Sequence, residues 1–349
     1  PDTPYGNESG GDPDVIPELS WEQFLDFHKK YYHPSNSYIY LYGNMDMAEK
    51  LQWLDAEYLS AYDAIEIDSE LPMQKAFEET KELILDYPIS DAEEETDNTF
   101  LSYNKVIATS LDRELYLAFQ VIEYALLAAP GAPLKQAILD AKIGKDVMSS
   151  YDNGILQPIF SIIAKNANLE QKDAFVTLIH QILENLVHKG MDKKALEAGL
   201  NYYEFRYREA DFGNYPKGLM YGLQAFDSWL YDENKPFIHL EALETFASLR
   251  KRVDTDYYEK LVQEYLLDNT HAAVVCVVPK KGLSQEKEEA LAKKLADYKA
   301  SLSKEEQNGA QKIKLEESLV GEKQAEEFYV GSSKLTIVDT GANSKLSYI

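Results

Sequence analysis

The chain has 349 residues, enough for two domains, and its 45% hydrophobic and 12% aromatic content excludes a disordered polymer. Lys and Arg number 35 against 60 Asp and Glu, a net charge of −25 that disfavours nucleic acid and anionic membranes and suits basic peptides as partners. One cysteine, Cys276, excludes an intrachain disulfide framework, and no run reads as long enough to span a bilayer.

Residues 5–17 read as a loop punctuated by Gly6, Gly10, Gly11, Pro13 and Pro17. Ser20, with Gln23 three residues on, is the capping-box signature of a helix start. Phe24, Phe27 and Tyr31 then recur on one helical face, and His33-Pro34 ends the helix. Residues 37–42 are aromatic and β-branched enough to predict a strand. Asp46 is an N-cap for a helix reaching about residue 62, and the polar, Pro72-containing stretch 65–73 predicts a domain boundary.

Beyond it, 81–89 and 99–108 have strand composition and flank an acidic connection at 90–98. Residues 112–129 form an amphipathic helix, broken by Pro130-Gly131-Ala132-Pro133, and 134–143 form a second, ended at Gly144. Asp152-Asn153-Gly154 is a turn signal before a strand at 157–167. Helices are predicted over 170–189, closed by Gly190, and over 195–208, 236–249 and 254–267. Residues 271–278 make a buried type of strand ended by Pro279, with Cys276 as a small core residue. After Gly282 the composition turns to Glu, Lys, Ala and Leu, which predicts an exposed helical hairpin, then a lone strand at 335–338.

The ordered words SGGDP (9–13), Ile16-Pro17, FHKKYYHPSNS (27–37) and LYGNMD (41–46) resemble the presequence-protease branch of the pitrilysin-type (M16, inverted zincin) metallopeptidases. A looser likeness continues through GAPL at 131–134, where the family carries serine in place of Ala132. It continues in Arg208-Glu209, in Pro216 and Gly218, and in Trp229-Leu230-Tyr231. The family holds zinc on an H-x-x-E-H helix and a later glutamate, both upstream of SGGDP. Neither that word nor H-E-x-x-H occurs here, and His28, His33, His180, His188, His239 and His271 lack ligand spacing.

The resemblance implies an α/β (α+β) fold of two-layer domains, helices on an antiparallel sheet. Residues 1–66 would end a first domain, 67–282 form a second, 283–330 a helical hairpin linker, and 331–349 a tail or the start of a downstream half. It implies a parent enzyme that hydrolyses short unstructured peptides in a closed chamber with Zn2+, no zinc being expected on this chain. Its partners would be peptide substrates, an N-terminal catalytic part and a C-terminal half of the same protein, with self-association through the surface they leave. The compartment would be the bacterial cytoplasm or an organellar matrix. No catalytic or metal residue is assigned; Tyr5, Gly6, Ser9, Gly10, Gly11, Asp12 and Pro13 are the candidates for substrate contact. The rival reading is a naturally non-catalytic scaffold or partner subunit of the same family.

Overall fold

The computed structural model describes residues 2–7, 10–210 and 212–304, and the backbone of strands at 327–330, 333–338 and 345–348. The chain divides into two compact units, Pro1–Lys281 and Gly282–Ile349.

The first unit opens with helices α1 (Trp21–Tyr31) and α2 (Met47–Glu57). Both arms of the capping box form: Ser20 Oγ accepts from Gln23 N at 3.1 Å, and Gln23 Oε1 accepts from Ser20 N at 2.8 Å. Asp46 Oδ1 caps α2 through Glu49 N at 3.0 Å. Neither helix buries a side chain. Residues 37–42, expected as a strand, are extended but join no sheet among the described residues. Their β-propensity is satisfied by side-chain packing on a helix, described below, because no ladder partner lies beside them.

The rest of the unit is one sheet with helices on a single face. Its elements are β1 (Lys81–Ile89), β2 (Thr99–Val106), α3 (Arg113–Glu123), α4 (Pro133–Asp140), β3 (Asp146–Asp152) and β4 (Ile159–Ala167). There follow α5 (Lys172–Lys189), α6 (Lys193–Glu209), α7 (Lys217–Trp229), α8 (Leu243–Lys251), α9 (Tyr257–Leu261) and β5 (Ala272–Lys281). The order is β1-β5-β2-β4-β3. It is antiparallel from β5 to β3, with β1 added parallel to β5. The two strands beside the acidic connection are therefore not partners; β5 separates them. Strand β5 also runs through Pro279, the residue expected to end it. Pairing with β2 stops at Val277, so Pro279 needs to serve only the β1 ladder.

Alternation along β2 puts Leu101, Tyr103 and Lys105 under the helices and leaves Phe100, Ser102 and Asn104 on the open face. The core lies between sheet and helices, around Phe119, Ile122, Leu126, Phe160, Phe175 and Phe246. The helical run Arg113–Asp140 is long and apolar enough to cross a bilayer, contrary to the expectation from sequence, and most of it is packed into this core. Asp112 caps α3 through Glu114 N and Leu115 N, both at 3.0 Å.

Two elements of the first unit escaped the sequence reading, β3 and α7. The words ending in Gly218 and beginning at Trp229 lie at the two ends of α7. A cradle for residues 38–42 is built there. A Cβ on Gly222 would lie 2.8 Å from Tyr40 Cδ1, and one on Gly218 would overlap the Tyr42 ring. Tyr38 packs against Trp229 with ring centroids 4.7 Å apart and the planes tilted by 60°. Glycines four apart on one helix face thus admit alternate tyrosines of an extended chain.

In the second unit, α10 (Leu283–Ser301) carries no buried side chain. The expected return helix of the hairpin falls mostly outside the described residues. The strand expected to stand alone is the middle of a three-stranded antiparallel sheet of β6 (Glu327–Val330), β7 (Ser333–Val338) and β8 (Lys345–Tyr348).

Candidate functional site

The glycine-rich stretch at the start of the chain is divided by the fold. A 3-10 turn at Pro4–Gly6 brings Tyr5 and Gly6 against one end of the sheet. Gly10, Gly11, Asp12 and Pro13 are exposed and do not join Tyr5 and Gly6 there, and Ser9 lies outside the described residues. Asp12 closes its own turn, its Oδ1 accepting from Asp14 N at 2.8 Å.

Tyr5 and Gly6 wall a cavity of about 250 Å³. Phe77, Ile155, Ile159 and Ala273 give it an apolar lining, and Gln74, Gln157 and Asn104 supply amides. Each polar group is held. Gln157 Oε1 accepts from Gln74 N at 2.6 Å, and its Nε2 donates to Gln74 O at 3.1 Å. Gln74 Oε1 in turn accepts from Asp2 N at 2.8 Å. Asn104 Oδ1 accepts from Ser102 Oγ and Ser161 Oγ at 2.9 and 2.7 Å, while its Nδ2 donates to Ala273 O. The Tyr5 and Tyr231 hydroxyls meet at 2.6 Å, pinning the turn to the end of α7.

Two titratable side chains border the cavity. Lys105 is 2% exposed, and its Nζ donates to Asn269 O at 2.5 Å. Burial pushes its ammonium down to about 8, against a weaker opposite pull from Asp268. His271 packs edge-on against Phe77 at 4.8 Å, and burial lowers its basicity too. No nucleophile stands beside a base here. The arrangement offers apolar surface, amide donors and acceptors, and phenol groups.

Zinc fits no set of the described residues. Among the described residues no group of three or more His, Cys, Asp and Glu could hold a metal. The histidines are engaged separately. His28 stacks on Tyr32, His33 Nδ1 accepts from Ser35 N at 3.1 Å, His180 Nε2 pairs with the Tyr103 hydroxyl at 2.9 Å, and His239 stacks on Tyr116. Arg208 pairs with Glu204 at 2.6 Å, one turn back, and not with the adjacent Glu209; Glu204 also binds Arg250 at 2.9 Å. That is an ion-pair cluster tying α6 to α8.

The gap in sequence reasoning was Gln74, Phe77, Asn104, Gln157 and Ala273, which come from four separate places in the chain. Lys105 carried the one available signal: a lysine on the apolar side of an alternating strand.

The fold is a helix layer on one face of a largely antiparallel sheet. Solved structures agree on the fold. This chain is similar to a peptidase M16 inactive domain from Pseudomonas fluorescens, with TM-score 0.56 and 16% identity over 79% of this chain and 61% of that one. It is likewise similar to a protease from Helicobacter pylori, with TM-score 0.54 and 14% identity over 77% and 61%. The family profile described as "Peptidase M16 inactive domain" matches residues 18–203. The chain belongs to the M16 peptidase family. Curated relatives include "Protein HypA" of Clostridium perfringens, 43% identical over 88% of this chain and 32% of that protein. "Presequence protease 1, chloroplastic/mitochondrial" of Arabidopsis thaliana is 33% identical over 83% and 28%. The chain thus spans about a third of the length of these relatives.

Proposed function

We propose that this chain is the wall-and-scaffold part of a longer zinc metalloendopeptidase, lining a chamber in which short unstructured peptides are degraded. The observation that carries the reading is the half-open sheet with its amide-lined cavity at Tyr5 and Gly6, in a family of peptidases, without a metal cluster among the described residues. Extended peptides present backbone donors and acceptors on both edges, and Gln74, Gln157 and Asn104 suit them.

Residues 1–66 then act as the end of a preceding domain and 67–282 as the following one. Two features support this division. Helices α1 and α2 leave Trp21, Phe24, Phe27 and Trp53 exposed, and 37–42 are extended with free edges among the described residues. A chain presented without its covering domain would self-associate through that surface. The zinc-bearing helix lies in that other part. The rival, a scaffold without catalytic partner sequence, differs in one respect: the gene would encode no H-x-x-E-H word.

Ala273→Phe fills the cavity from β5 and leaves every hydrogen bond named above in place. In the full-length gene product it raises KM for an unstructured peptide about tenfold while kcat changes little, as loss of uniform binding requires. An unchanged KM would contradict substrate contact at this wall.

A further inference from the structure

We infer that residues 73–77 are an internal occupant of a peptide-binding groove. The chain lays its own extended segment where an extended peptide carrying an aromatic side chain would bind, and that segment has to leave before the peptide enters.

The segment ends a run, residues 63–77, that joins no helix or strand. Side chains of the sheet domain hold its backbone. Gln157 Oε1 accepts from Gln74 N at 2.6 Å while Gln157 Nε2 donates to Gln74 O at 3.1 Å. One side-chain amide thus engages both backbone groups of a single residue, as an opposed strand would. Three residues on, Thr270 Oγ1 donates to Phe77 O at 2.6 Å, and the Phe77 ring packs edge-on against His271. Asp2 clamps the Gln74 side chain from the other side. Backbone contacts with an aromatic anchor are the grip that an extended peptide needs: main chain for affinity, side chain for selection.

Cavities flank the segment. Phe77 lines the one of about 250 Å³, Met73 and Ala76 line another of about 470 Å³, and Gln74, Val106, Gln157 and His271 border both. Withdrawing the segment would join them in one groove. Release costs little, because the fastenings are single side-chain hydrogen bonds and not a strand ladder. With the segment in place the Gln157 amide is engaged on one peptide unit, so another backbone reaches it only by exchange.

That a substrate does the displacing rests on the chamber-wall reading; the occupancy rests on the hydrogen bonds alone. The probe is a capped pentapeptide of sequence MQKAF, that of residues 73–77, added to the purified 349-residue chain. Phe77→Ala takes the anchor from the internal segment only, and neither Phe77 nor Gln157 belongs to the core. This variant binds the peptide saturably and at least about tenfold more tightly than the parent, since the probe brings the ring that the segment then lacks. The control peptide MQKAA gains nothing. The Gln74 amide, protected from hydrogen exchange in the parent, exchanges freely in the peptide-bound variant. Gln157→Glu, added to Phe77→Ala, replaces the Nε2 donor with a second acceptor and weakens the peptide about tenfold, the worth of one hydrogen bond. Equal affinity of parent and Phe77→Ala, equal affinity for the two peptides, indifference to Gln157→Glu, or a Gln74 amide still protected with peptide bound would each overturn the assignment and leave residues 73–77 a fixed linker. None of these results bears on substrate contact at the wall, which the KM of Ala273→Phe addresses; an unchanged KM there leaves the exchange of segment for peptide standing.

Discussion

Gly222→Ala will destabilise the first unit by about 1–2 kcal/mol, and the sign of its effect will reverse when Tyr40 is removed. In an ordinary helix interior, glycine to alanine stabilises by up to about 1 kcal/mol. Here the added methyl would sit 2.8 Å from Tyr40 Cδ1 and 2.9 Å from Cε1. Contacts that short force the ring out of place, and overpacking of this kind costs about 1–3 kcal/mol. The clash outweighs the propensity gain. In a Tyr40→Ala background only the propensity remains, so Gly222→Ala becomes stabilising by about 1 kcal/mol. Chemical denaturation of the four chains closes the cycle. The same substitution exposes residues 37–43 to proteolysis, since Gly218 and Gly222 seat Tyr42 and Tyr40 together. Additive effects, with no reversal of sign, would mean that the tyrosines do not rest on α7.

Asp227→Asn will stabilise the chain above pH 6 and leave it unchanged near pH 3.8. Burial, reinforced by Asp152 and opposed by the Tyr116 hydroxyl, raises this carboxyl from 3.8 to about 6. A folded-state value above the unfolded one means that the native state binds the extra proton between those limits. Stability then falls as pH rises from 3.8 to 6, and the cost is fully present above 6. The shift of 6 − 3.8 = 2.2 units corresponds to roughly 3 kcal/mol, and partial solvent access brings the figure to about 2. His239, stacked on the Tyr116 ring, works in the opposite sense. Burial pushes its imidazole from 6.5 down to about 4, so its contribution is lost as pH falls through that interval. The two titrations nearly cancel in the native sequence. Removing Asp227 leaves the histidine's acid sensitivity uncovered, and the variant loses stability on acidification more steeply than the parent. Denaturation midpoints of the pair across this pH range would refute the account if the difference between them were constant.

How far the sequence could be read depended on whether the cause was local. Ser20 and Gln23 form a local motif, and both hydrogen bonds are present. The bounds of β1 follow from composition alone, as do the cap at Asp46 and the closure of α5 by Gly190, at φ +89°. Strand order is not a local property. The insertion of β5 between β1 and β2 joins segments more than 160 residues apart, as the pair Tyr103↔Val274 shows. Helix α7 was missed because Gly218 and Gly222 depress helix propensity; the same glycines serve its packing. Strand β3, DVMSSYD, is too polar to announce itself and is defined by pairing with β4. The misjudged strand at 37–42 is the converse case, with strand composition and no ladder among the described residues. The candidate site divides along the same line. Tyr5 and Gly6 reach the cavity through a short turn, while its amides and rings were brought there by tertiary packing.

The central claim is that this chain holds and encloses peptide while zinc chemistry belongs to another part of the protein. The most direct test is zinc content measured together with cleavage of an unstructured peptide on the purified 349-residue chain. The account predicts no stoichiometric zinc and no cleavage. Stoichiometric zinc with chelator-sensitive cleavage would contradict it, and would require histidines that stand apart in the fold to converge on a site.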